Sequence, residues 1–130
     1  MPDIVFLTIE QAFDLHDQAL AEFGGSPGVL NVGLIDSAVA MPRATFGGHF
    51  LHEGNAAMAA AYFFHLCQAH GFQDGKKRTA VWSSLLFLEG NEHSIDASND
   101  ELYDLAIQVA DHKVLKEHVT EFFQSRVRQH

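Results

Sequence analysis

Thiols are nearly absent from this sequence: Cys67 is its only cysteine. No internal disulfide can form, and the surroundings of Cys67 are apolar, so it reads as a small buried hydrophobe in a reducing compartment. Cations are also scarce. Eight Lys and Arg face 17 Asp and Glu, a formal net charge of −9, which is the wrong sign for gripping nucleic acid through the bulk surface. No run approaches the roughly 18 consecutive apolar residues that a membrane span requires, and Met1 to Leu7 lacks the basic region and long apolar stretch of a leader. Internal repeats, low-complexity tracts and linkers are missing too. These absences point to a cytoplasmic chain that touches neither a membrane nor, directly, nucleic acid. Its 130 residues, 47% of them hydrophobic, suffice for the core of one domain spanning 1–130.

What is present reads as mostly helical. Ile4 to Leu7 are β-branched and aromatic enough for a short strand. Thr8 with Gln11 then makes a capping box, and Ala12, Phe13, His16, Ala19, Leu20 and Phe23 recur at helical spacing until Gly24 and Gly25. A turn-rich stretch to Gly33 precedes a second helix through Leu34, Ile35, Ala38 and Val39, closed near Pro42, after which Gly47 and Gly48 loosen the chain. Asn55 to Ala69 is apolar on nearly every side, the pattern of a central helix buried by its neighbours. Ala80 to Leu88 forms a second core helix with Gly90 as terminator. His93 to Ala97 suits another short strand, and Ser98 with Glu101 opens a helix whose face is Leu102, Leu105, Ala106 and Val109. Val114 to Val127 supplies a last helix. The expected fold is mostly α: about six helices around the central one, with at most a small β element from the segments near Ile4 and Ile95.

Between the two core helices lies the polar decapeptide HGFQDGKKRT, residues 70 to 79. A helix beginning near Arg78 offers unpaired N–H groups and the positive end of its dipole, so the glycine-bearing turn before it is a ready anion site. Lys77 and Arg78 add full charges there, and Gly75 lets the backbone approach a phosphate without a Cβ in the way. Asp74 is a carboxylate of the kind that holds Mg²⁺ beside phosphate oxygens. His70, at the end of the preceding helix, is placed to act as general base. Phe72 reads as the apolar anchor that buries the loop. Together these describe a site for a nucleoside triphosphate with Mg²⁺; the resemblance below implies that it is ATP.

The decapeptide resembles the Fic signature, H-P-F-x-D/E-G-N-G-R, and more closely its Doc version, H-x-F-x-D-x-N-K-R-T. The flanking LHDQALAEFGGSPG and LLFLEGN are similar to the layout of Doc, the death-on-curing toxin branch, so the resemblance covers roughly residues 8 to 125. It implies a Fic/Doc-like bundle in which His70 is the base, Phe72 the anchor, Asp74 the metal ligand and Arg78 a phosphate contact. Gly75, Lys76, Lys77 and Thr79 complete the nucleotide-binding set. Lys77 falls where most Fic proteins have glycine; in the Doc branch lysine there goes with transfer of the γ-phosphate, and glycine with transfer of AMP. The resemblance therefore implies a kinase-like transferase acting on a Ser/Thr hydroxyl of a protein, with a translation elongation factor as target. A separate antitoxin is implied as well. Self-restraining Fic proteins carry S/T-x-x-x-E-G/N, but His49 and Leu85 stand four residues before Glu53-Gly54 and Glu89-Gly90.

Two positions depart from the pattern. Gly71 replaces the common proline, a change expected to matter little, and Lys76 stands where Fic and Doc usually have asparagine. A lysine binds phosphate as a point charge but cannot accept a hydrogen bond as an asparagine carbonyl can. Protein adenylylation (AMPylation) therefore stays open as an alternative, as does a binding module that has lost catalysis. Nine histidines do not make a metal hydrolase: His65 and His70 are about 140° apart around a helix, His49 and His52 lie in a loop, and H-E-x-x-H is absent. His16, beside Asp17, reads as a packing residue rather than half of a functional pair. Trp82, Phe87, Phe63 and Phe64 read as core, and Asp100 and Asp104 as a solvated face.

Overall fold

The computed structural model describes residues 3–130; Met1 and Pro2, part of the leader reading, lie outside the described residues. Helices α1 (Ile9–Phe23) and α2 (Val32–Ala40) are followed by a 3₁₀ turn at Met41–Arg43 and a hairpin of β1 (Thr45–Phe46) and β2 (His49–Phe50). Then come α3 (Asn55–Gln68), α4 (Lys76–Gly90), β3 (His93–Ile95), α5 (Asn99–Ala110), α6 (Lys116–Arg126) and β4 (Val127–Gln129). Six helices with two small antiparallel strand pairs make the fold mostly α, as expected. Among the described residues no helix is long and apolar enough to cross a membrane.

Both capping boxes form. Thr8 Oγ1 accepts from Gln11 N while Gln11 returns to the Thr8 amide, and Ser98 pairs with Glu101 in the same way; each cap is worth about 1 kcal/mol. Helix α3 is the axis. Ala59, Ala60 and Ala61 are fully buried, and their small side chains let α4 lie close along one side while α2, α5 and α6 cover the others. Around this seam Tyr62, Phe63 and Leu66 pack with Phe87, Leu102 and Phe123, each large side chain contributing roughly 1.5–3 kcal/mol. Phe63 and Phe123 meet edge to face at 5.4 Å. Cys67 is buried here, and burial pushes its thiol up to about 12, which keeps it protonated.

The β structure departs from expectation in three places. Ile4 to Leu7 is not a strand, because no strand lies beside it. The side-chain amide of Asn91 takes that place, accepting from Val5 N at 2.8 Å and donating to Val5 O at 2.9 Å, while Leu7 N donates to the Tyr62 hydroxyl at 2.9 Å. The expected strand at His93 does form, paired with β4, so the last helix stops at Arg126, not Val127. Gly47 and Gly48 do not loosen the chain: both have positive φ, 60° and 82°, and they close the tight turn between β1 and β2.

One polar cluster ties three elements. The Lys116 ammonium, at the start of α6, donates to His52 Nε2 at 2.7 Å in the segment after β2 and to His65 Nε2 at 2.9 Å on α3. Burial first, then the charge of Lys116 and the neighbouring His52, lowers His65 to about 4; burial and Lys116 lower His52 as well. The unfolded chain takes up a proton on His65 near its ordinary 6.5, whereas the folded one resists until about 4. Stability is therefore lost as pH falls through that window. The thermal midpoint should drop between about pH 7 and about pH 5, and His65→Gln should flatten the drop; equal slopes for both proteins in a melting series would refute the assignment.

Candidate active site

The chain leaves α3 through Ala69, whose ψ of 129° ends the helix, and returns at Gly75, the N-cap of α4, with φ 79° and ψ 5°. The intervening loop is held from the side by the α1–α2 connection. Gly71 O accepts from Leu30 N at 2.7 Å and Asn31 N at 3.2 Å, and Gln73 N donates to Gly28 O at 2.9 Å. Val29 and Phe72 thus sit opposite each other in a single antiparallel bridge. Phe72 is 5% exposed: the His16 ring stacks on it at 3.8 Å, and Phe13 meets it edge-on at 5.8 Å.

His16 does a second thing. Its Nε2–H donates to the Asp74 carbonyl at 2.7 Å, and the residue is 1% exposed. The packing reading holds for it, yet the group it satisfies belongs to the decapeptide. A Cβ on Gly75 would come within 3.3 Å of the same ring, at a φ that side chains rarely adopt.

The first intrahelical bond of α4 runs from Thr79 N to Gly75 O, and Gly75 has no side chain to cap the preceding amides. The amides of Lys76, Lys77 and Arg78 therefore lack intrahelical acceptors, and the positive end of the helix dipole stands beside them. A cavity of about 260 Å³ opens at this point, bordered by His70, Asp74, Gly75, Lys76 and Lys77, with Tyr103 of α5 on its far wall. Lys76 Nζ lies 3.5 Å from His70 Nδ1. Burial and the neighbouring Lys77 lower the Lys76 pKa. The Asp74 carboxylate accepts from Ser26 N through Oδ2 at 3.2 Å. Among the described residues no group of three or more His, Cys, Asp or Glu is arranged to hold a metal, and Asp74 is the one carboxylate among the residues lining this cavity. A hard cation sharing it with phosphate oxygens is the mode such a donor suits. A larger cavity, of about 620 Å³, lies elsewhere; size alone does not mark the motif.

Two expected nucleotide contacts lie outside this cavity. α4 begins at Lys76 rather than near Arg78, so each following side chain is turned about 100° from the last. Arg78 points to a neighbouring cavity of about 350 Å³, where its guanidinium lies 3.6 Å over the Phe23 ring and 4.7 Å from Tyr103, with Trp82 alongside. Trp82 is partly buried, packing against the core as expected while also lining this cavity. Thr79 is fully buried, and its hydroxyl donates to Gly75 O at 2.8 Å, which leaves nothing to offer a ligand. Tyr103, shared by both cavities, and His16 were not among the expected site residues; the spacing of His16 marked it only as a helix-face residue, and Tyr103 gave no signal.

The chain matches the family described as Fic/DOC over residues 6–88. It is 31% identical over 101 residues to a protein named Protein kinase doc from Escherichia phage P1, covering 78% of this chain and 79% of that one. It is 37% identical over 91 residues to a protein named Toxin Doc from Mycolicibacterium smegmatis, covering 68% and 69%.

The smallness of Gly71 matters more than its replacement of a proline suggested. A Cβ there would run into Ile35 Cγ1 and come within 2.8 Å of Asn31 O. Gly71→Ala should cost about 1–3 kcal/mol through forced repacking, read as a lower denaturant midpoint; an unchanged midpoint would show that the loop is not clamped in this way.

Proposed function

The chain belongs to the Fic/DOC family, and from that premise we propose that it is a cytoplasmic Doc-like toxin that transfers the γ-phosphate of ATP to a serine or threonine hydroxyl of a target protein, a translation elongation factor being the class of target. The observation that carries this reading is the meeting of His70, Asp74, Lys76 and Lys77 around one cavity at the uncapped start of α4. A polyphosphate suits it: two ammonium groups border the cavity beside the uncapped start of α4, and Gly75 keeps the backbone open.

In this scheme His70 is the base. Lys76 holds its Nδ1 in the resting state, which places the ring proton on Nε2. A polyphosphate draws the Lys76 ammonium to itself, and the released Nδ1 lone pair accepts the proton of the incoming hydroxyl. The hydroxyl oxygen forms its bond to the γ-phosphorus as the β–γ bridging bond breaks and ADP leaves. Lys77 and the first-turn amides of α4 stabilise the charge that develops. Mg²⁺ would neutralise phosphate charge, with Asp74 as the residue to hold it. Arg78, whose guanidinium is stacked on Phe23, would leave that ring to contact a phosphate.

Restraint falls to a separate antitoxin. Val29, Leu30, Val32 and Leu34 are exposed on the α1–α2 segment that clamps the loop, and an apolar helix that folds on binding would cover them beside the cavity.

Incubation of the purified chain with a lysate and ATP labelled at either the γ or the α position tests the reaction. Label from the γ position alone is expected, and none from a folded His70→Ala variant. Label from the α position would replace the reading with AMP transfer, and no label from either would leave a binding module.

A further inference from the structure

The cavity of about 350 Å³ is walled by aromatic rings around a cation. That cation is the chain's own Arg78, whose guanidinium lies 3.6 Å over the Phe23 ring and 4.7 Å from that of Tyr103. Trp82, its ring 6.1 Å from Phe23 and inclined to it by 51°, makes a further wall. Aromatic faces gathered about one cation are a recognition device for guanidinium and ammonium groups. Two carboxylates, Glu22 and Asp100, line the same cavity, yet neither pairs with Arg78: among the described residues the one ion pair is Arg126 with Glu101. Arg78 is thus held by ring faces and not by a carboxylate. A polyphosphate can overcome such a hold, because a guanidinium forms bidentate, charge-assisted hydrogen bonds with phosphate, whereas a stack on a ring that is 57% exposed, as Phe23 is, is a weaker tie. Arg78 is the one cation lining the cavity. Its departure leaves two carboxylates and uncovered ring faces, and what then fits is another guanidinium.

We propose that this pocket docks an arginine side chain of the target protein, and that the arginine enters when nucleotide draws Arg78 to the adjoining cavity. Its timing rests on the polyphosphate reading of that cavity, its chemistry on the rings and carboxylates alone. A pocket that opens only once nucleotide is bound suits the second substrate of a transfer reaction. Arginine suits it better than lysine, because a planar guanidinium stacks on aromatic faces while a compact, strongly hydrated ammonium does so less well. Tyr103 borders both cavities, so an arginine stacked there anchors the target beside the cavity that His70 lines.

Arg78→Ala empties the cage without nucleotide, and so separates the pocket from the phosphate site. The probe is N-acetylarginine amide, followed by saturation-transfer NMR at its δ-methylene protons, with the citrulline analogue as an uncharged control of the same shape. Saturable transfer is expected with the Arg78→Ala variant and with the wild type plus inorganic tripolyphosphate, several-fold weaker binding with the wild type alone, and none from citrulline. Adding Glu22→Gln and Asp100→Asn to the Arg78→Ala chain should weaken binding several-fold. No saturable transfer in a folded Arg78→Ala variant, or equal transfer from citrulline, would overturn the pocket. Calorimetry with tripolyphosphate alone shows separately whether the adjoining cavity takes a polyphosphate. Wild type that binds tripolyphosphate yet still excludes the arginine amide refutes the exchange, and this arm decides if Arg78→Ala does not fold. Wild type that binds no tripolyphosphate refutes the reading of the adjoining cavity and the exchange with it. Saturating arginine amide should also lower γ-label transfer to lysate protein several-fold; transfer unaffected by it would remove the target as the occupant.

Discussion

The carbonyl of Gly71 receives two amides, from Leu30 at 2.7 Å and Asn31 at 3.2 Å, and it can do so because Gly71 presents no Cβ to Ile35 and Asn31. This close approach sets the path of the chain from Phe72 to Gly75. With residues 71–73 laid against 28–31, Phe72 is delivered to the stack of His16 and Phe13, and the Asp74 carbonyl to the His16 N–H. The chain then reaches Gly75 in the left-handed conformation that starts α4. The anion-attracting helix end owes its position to a glycine contact four residues upstream, and to an α1 histidine that does not itself line the cavity. Rigid support of this kind is what a catalytic loop requires, since small displacements of a base are costly to rate.

The same helix start divides the cations among different surroundings. Lys76 and Lys77 border the smaller cavity, while Arg78, about 100° further round, is drawn to the faces of Phe23 and Tyr103. A guanidinium is weakly hydrated and stacks readily on aromatic rings, whereas an ammonium does so less well. Tyr103 borders both cavities, so a change at one has a physical neighbour in the other.

Much of this was legible in the residues. Capping boxes at Thr8 and Ser98, the apolar run before His70 and the composition of the decapeptide all depend on nearest neighbours or on a single period, which is what a linear reading sees. The misreadings had a different origin. Ile4 to Leu7 has the residues of a strand, but a ladder needs a second chain segment, and a side-chain amide 86 residues away took its place. Val127 fits a helical face by spacing, yet it pairs with Ile95. Gly47-Gly48 between Thr45-Phe46 and His49-Phe50 carried a hairpin signal that was there to be read. The resting directions of Arg78 and Thr79 depend on the first residue of α4, which lies two residues earlier than expected, and neither side chain lines the smaller cavity. The role of His16 had no local signature, because its partner lies 58 residues on.

Trp82 is the only tryptophan in the chain, and it stands on α4 one turn beyond Arg78, with its ring 6.1 Å from that of Phe23. Indole emission depends on the polarity and charge of its immediate surroundings. Any event that lifts the Arg78 guanidinium from Phe23, or that moves Tyr103 between the two cavities, alters the field and the solvent around this one ring. The protein therefore carries a native optical probe at the edge of its site, free of background from other indoles and needing no label.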